Sequence, residues 1–118
     1  MKLNLKSDNA GISLVQIEGQ VRLSAASADS LLLELLLGTN CYGRKLLLDF
    51  EQTPYMDSSG VSWLLNTHKK CRNAGGMLVL HTISPSIMQI LKLLQVDRML
   101  NIVENEGAAL ALVSGPEQ

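Results

Sequence analysis

Two runs in this chain, residues 44–50 and 77–81, place leucine and valine at successive positions rather than at every second one. A strand with one wet face alternates apolar and polar residues. A strand without that alternation is covered on both faces, as in the centre of a parallel sheet flanked by helices. Each run is followed by a helix-like segment, and parallel neighbours require such crossovers.

The flanking sequence fits that scheme. Leu3 and Leu5 alternate with polar residues, residues 7–11 supply turn chemistry, and Ile12, Leu14, Val15 and Ile17 resume a strand pattern. This predicts an N-terminal β-hairpin. Ser24 is placed to cap a helix running to about residue 37, closed by Gly38. A loop over residues 51–56 contains Pro54, and a second helix runs from about residue 58 to 72 until Asn73, Ala74, Gly75 and Gly76 stop it. Ser84 before Pro85 opens a third helix to about residue 94. Residues 99–103 read as a short last strand and residues 106–113 as a short last helix. The expected fold is α/β, with the order β-β-α-β-α-β-α-β-α. It is one domain over residues 1–113, a mostly parallel sheet of about five strands with about four helices, and a tail over residues 114–118 expected to fray.

Composition narrows the function classes. With 118 residues and 47% hydrophobic content the chain builds one real core, filled by leucine, isoleucine and valine because aromatics are only 3%. The net charge is −1 with no basic stripe, which argues against nucleic acid as a partner. Neither a signal-peptide pattern nor an apolar run long enough to enter a bilayer is present, since Glu34 interrupts the leucines of residues 31–37. Cys41 and Cys71 form no disulfide framework or zinc motif and read as reduced thiols of a cytoplasmic protein.

The run Tyr55, Met56, Asp57, Ser58, Ser59, Gly60 stands where a strand hands over to a helix. The first helical turn leaves backbone N–H groups unpaired and carries partial positive charge, so phosphate is stabilised there. Asp57 is the expected N-cap, Ser58 and Ser59 occupy the first turn, and Gly60 keeps that turn slim. Two readings stand on these residues alone: a helix cap and nothing more, or a hydroxyl that is written and read as a phosphoryl mark. Catalysis by Ser58 is disfavoured. His68 lies ten residues along the same helix, about 15 Å at ~1.5 Å per residue, and His81 comes with no oxyanion-hole signature. No clustered ligand set for a metal and no glycine-rich phosphate loop is seen.

By helical periodicity Val61, Leu64, Leu65 and His68 form the stripe that should face the sheet. Trp63 falls on the opposite side, either as a partner anchor or packed under the loop at Met56 or against the third helix. The leucines at 31, 32, 33, 35, 36 and 37 cover nearly the whole circumference of the first helix, so one of its faces is less buried, either against a second subunit or as scattered surface leucine.

Residues 46–50 followed by Met56, Asp57, Ser58, Ser59, Gly60 and Val61 resemble the signature of the STAS domain, more narrowly that of bacterial anti-sigma factor antagonists. Ala74, Gly75, Gly76, Val79, Leu80, Ile83, Ser84 and Pro85 match that family's helix-strand-helix segment, and residues 91–94 with Val96 and Leu100 match its end. The resemblance implies that Ser58 is the phosphoacceptor. It implies a GHKL-type kinase that is also an anti-sigma factor, and a PP2C-type phosphatase that reverses the mark. The chain would be substrate rather than enzyme, with no cofactor of its own, since ATP and magnesium belong to the kinase. Met56, Asp57, Ser59, Gly60, Ser62, Trp63 and Arg22 would contact the partner, and the protein would be a monomer or weak homodimer. Arg22 stands where the family often has an acidic residue, and Trp63 where it often has an aliphatic one. The alternatives are a STAS subunit of a lipid-exporting ABC transport system and a nucleotide-binding sensory module.

Overall fold

A computed structural model describes residues 2–9, 11–19, 32–38 and 40–114. Five strands form one sheet in the order β1 (Lys2–Asn9), β2 (Ile12–Glu18), β3 (Lys45–Asp49), β4 (Met77–His81) and β5 (Asn101–Val103). The first pair is antiparallel and all later pairs are parallel. The hairpin turns at Gly11, whose φ of 79° is the left-handed conformation glycine adopts at little cost. The register of β1 shifts between Leu5 and Ser7, a bulge in the outermost strand. The helices are α1 (Leu32–Leu37), α2 (Ser58–Asn73), α3 (Pro85–Leu93) and α4 (Glu106–Val113).

The unalternating strands are explained by two cores. Leu46, Leu48, Leu78 and Leu80 face one way and pack with Leu33 of α1, Val61 and Leu64 of α2, and Ile87 and Leu91 of α3. Leu47 and Val79 face the other way and pack with Ala109 and Val113 of α4. Period-two alternation therefore exists, but both sets are apolar because each has its own helix layer.

The capping chemistry operates as read. Ser84 accepts the Ile87 N–H, with Pro85 at the first position of α3. At the end of α2 the Gly76 N–H reaches the Cys71 carbonyl at 2.8 Å and the Gly75 N–H reaches Arg72 at 3.2 Å, with Gly75 at φ 83°. That pair of bonds closes the helix and reverses the chain into β4.

The start of the last strand differs from expectation. Met99 and Leu100 belong to the turn that follows the 3-10 segment Val96–Arg98, so β5 holds only residues 101–103. The Ser24 cap lies outside the described residues, and α1 is described from Leu32. Leu33 of α1 is fully buried, while Leu36 and Leu37 are partly buried against the same core. Among the described residues no helix is long and apolar enough to cross a membrane.

Candidate functional site at the start of α2

The turn before α2 is held from below. Thr53 donates its hydroxyl to the Ile17 carbonyl at 2.7 Å in a buried bond, and Gly19 N–H reaches Gln52 at 3.0 Å. Phe50 N–H bonds the His81 carbonyl at 3.1 Å. The segment between β3 and α2 is therefore pinned to β2 and to β4. Met56 adds a fully buried side chain.

Asp57 is the N-cap, with extended backbone. Its Oδ1 accepts the Gly60 N–H at 3.1 Å and the Ser59 hydroxyl at 2.6 Å. Ser58 is the first helical residue and is exposed, and Ser62, one turn later, is exposed as well. Residues four apart share a helix face, so the two hydroxyls belong to one outward strip. Tyr55 is also exposed, at 45%. Its presence beside the serines was not singled out as a site residue from sequence, although an aromatic two residues before the cap was the available signal.

A phosphoryl group on Ser58 would meet the positive end of α2, worth about 0.3–1 kcal/mol at an exposed terminus, and the adjacent Asp57 carboxylate, which opposes it. The effect on folding is therefore small. The effect on anything seated against this strip is large, because about −1.5 to −2 charges would be added to the contact.

The other candidate residues divide. Gly60 is buried, so its slimness serves the inward side of α2 rather than a partner's approach. Trp63 is 2% exposed and belongs to the main core. The expectation that it lies opposite the buried stripe is corrected. The buried side of α2 consists of Gly60, Val61, Trp63, Leu64, Thr67 and Cys71, while Leu65 and His68 sit at its margin. The stripe is turned by about a quarter of the circumference, at ~100° per residue. The small Gly60 and the β-branched Thr67, which returns its hydroxyl to the Trp63 carbonyl at 2.7 Å, hid its centre from a hydropathy reading. Arg22 lies outside the described residues.

Neither histidine stands beside Ser58 as a base. His68 is in the second half of α2, and burial together with Arg72 pushes its pKa down. His81 continues the strand face that Val79 occupies and meets Glu106 of α4, on the far side of the sheet from α2. A cleft of about 500 Å³ lined by Asn40, Tyr42, Lys70 and Asn73 opens at the opposite end of α2, about 20 Å from Ser58 along a helix rising ~1.5 Å per residue.

Known proteins share this architecture. A family model for the STAS domain matches residues 6–109. The crystal structure of an anti-sigma factor antagonist from Mycobacterium paratuberculosis has a TM-score of 0.78 at 18% identity, with 96% of this chain and 93% of that chain covered. The Bacillus cell fate determinant SpoIIAA in its phosphorylated form has a TM-score of 0.66 at 17% identity, with 95% and 99% covered. A sulfate transporter family protein from Wolinella succinogenes has a TM-score of 0.73 at 19% identity, with 92% and 89% covered.

Proposed function

This chain belongs to the STAS domain family, and from that premise we propose that it is an anti-sigma factor antagonist switched off by phosphorylation of Ser58. The observation that carries the reading is the division of labour between two adjacent serines. Ser59 gives its hydroxyl to the capping Asp57, while Ser58 is exposed on a turn fixed from beneath. A kinase needs an accessible hydroxyl on a rigid turn, and a docked partner is expelled by charge introduced at the same point. The partner is a GHKL-type kinase that doubles as an anti-sigma factor and brings its own ATP and magnesium. A PP2C-type phosphatase restores binding, and the protein works in the bacterial cytoplasm as a substrate, not an enzyme.

The contact surface under this reading is the strip of Asp57, Ser58, Ser59 and Ser62, with Tyr55 beside it. Met56, Gly60 and Trp63 act by holding that strip in place. The likeness to a phosphorylated SpoIIAA supports the choice.

Incubation with the candidate kinase and ATP, followed by mass spectrometry, tests the reading. One phosphate on Ser58 is expected. Ser58→Ala should bind the kinase constitutively and Ser58→Asp should not. A phosphopeptide mapping only to another residue overturns it.

A second reading is a STAS module serving a membrane transport system, favoured by the likeness to the sulfate transporter family protein. In that case the same strip docks on a transporter subunit and Ser58 stays unmodified. Affinity purification from the native cell separates the two, with a kinase recovered in one case and a permease or its ATPase in the other.

A further inference from the structure

On the face of the sheet covered by α4, four ionisable side chains from four elements converge. Asp49 ends β3 and His81 ends β4, and the two are register partners. Glu106 opens α4, and Lys6 comes from the bulge of β1. Asp49 is 4% exposed and His81 1%. One ligand atom from each of Asp49, His81 and Glu106 lies within 4.8 Å of the other two.

Three details make this more than an acidic cluster. A cation is already drawn into it, since Lys6 Nζ bonds Asp49 Oδ2 at 3.3 Å and Glu106 Oε1 at 3.1 Å. The imidazole is fixed by a contact of 2.7 Å between His81 Nδ1 and the Thr82 hydroxyl. Orientation of a ligating histidine through its second nitrogen is what metal sites use. Asp49 is likewise held, its Oδ1 accepting the Glu51 N–H at 2.8 Å.

We propose that Asp49, His81 and Glu106 form a site for one divalent transition-metal cation of the Zn²⁺ class, which Lys6 guards by occupying it with its own ammonium. One nitrogen and two carboxylates are a donor set that Zn²⁺ accepts, with further positions open to water. Two carboxylates face one ammonium, and a dication in its place is fully neutralised. With metal–ligand bonds of about 2.0–2.2 Å, tetrahedral ligand atoms sit roughly 3.4 Å apart. The cluster must contract by up to about 1.4 Å, and Glu106, whose side chain is 38% exposed, has the room to move inward.

Titration calorimetry with ZnCl₂ on the full chain tests this independently of any event at Ser58. The expected result is one Zn²⁺ per chain. Lys6→Met should tighten binding by about tenfold or more, and Glu106→Gln and His81→Gln should each weaken it by at least about tenfold. Glu106 is the safer variant, being partly exposed, and circular dichroism verifies that each variant is folded. The proposal is overturned if neither wild type nor Lys6→Met shows saturable binding. It is equally overturned if binding survives Glu106→Gln unchanged, or is lost only on His68→Gln or on blocking the two thiols.

Discussion

Asp57 Oδ1 lies 2.6 Å from the Ser59 hydroxyl, and this contact, with the greater exposure of Ser58, separates the two neighbours. Ser59 is committed to the cap of α2, and Ser58 is left to face outward. A phosphoryl group on Ser59 would have to break its hydroxyl's bond to Asp57, whereas one on Ser58 need not.

The cap itself is open to measurement. Asp57→Ala removes the acceptor for both the Gly60 N–H and the Ser59 hydroxyl, and should lower stability by about 1–2 kcal/mol. Asp57→Asn, which keeps an acceptor oxygen, should cost less. Urea denaturation reads this as a shift in midpoint at constant slope. An Asp57→Ala midpoint equal to wild type would show that the cap does not hold this turn.

Trp63 is the chain's single tryptophan and is almost wholly enclosed. Its emission should be blue-shifted in the native protein and move to the red on unfolding. Trp63→Ala should cost about 3–5 kcal/mol, a large share of the roughly 5–15 kcal/mol that holds a domain together. An unchanged native emission maximum on adding an aqueous quencher, with strong quenching, would contradict that burial.

Gly76 lies against backbone. A β-carbon there would overlap the carbonyl oxygens of Tyr42 and Arg44. Gly76→Ala should therefore destabilise by at least about 1–3 kcal/mol, because the obstructing atoms are main chain and have no rotamer to move into. Thermal melting measures it directly.

Burial, and secondarily the neighbouring Cys41, pushes the Cys71 thiol up to about 12. Both cysteines are fully enclosed. The thiolate is the reactive form, so neither should react with a disulfide reagent at pH 8 in the native state, and both should react on unfolding. Labelling of the folded chain within minutes would argue against this packing.

His68 introduces a pH dependence of definite sign. Desolvation first, and Arg72 second, lower its pKa below the ordinary 6.5, and its buried Nδ1 has no partner among the described residues. The unfolded chain therefore binds this proton more readily than the folded one. The contribution of His68 is fully present above about pH 6.5 and is lost as pH falls through that value towards the folded pKa. Between pH 7 and 5, His68→Gln should lose less stability than wild type. The difference is modest because the ring is only half-buried, and a steeper loss in the variant would reverse the assignment.

The two-sided burial of the core strands and the helix caps were legible because each rests on local rules. Ser84 with Pro85, and Gly75 with Gly76, act within a few residues. The orientation of α2 was not legible, since Gly60 and Thr67 carry no hydropathic signal and their burial is decided by what the sheet presents to them. The cluster of Asp49, His81 and Glu106 was missed for a related reason. Its members are 25 or more residues apart in sequence, and only the pairing of β3 with β4 and the start of α4 brings them together. The turn before α2 is intermediate: its residue types were evident and the family resemblance pointed to Ser58, but the physical difference between the two serines, the bond of Ser59 to Asp57 and the exposure of Ser58, appears only in the structure.

The two margins of the sheet bear on how this protein avoids its own copies. An unpaired strand offers main-chain donors and acceptors as a template on which another molecule can polymerise. Here β5 is three residues long, too short to seed such growth, and β1 is bent by its bulge and studded with Lys6 and Asp8. Edge-to-edge stacking is thereby discouraged at both margins by short length at one and by a bulge with charged side chains at the other.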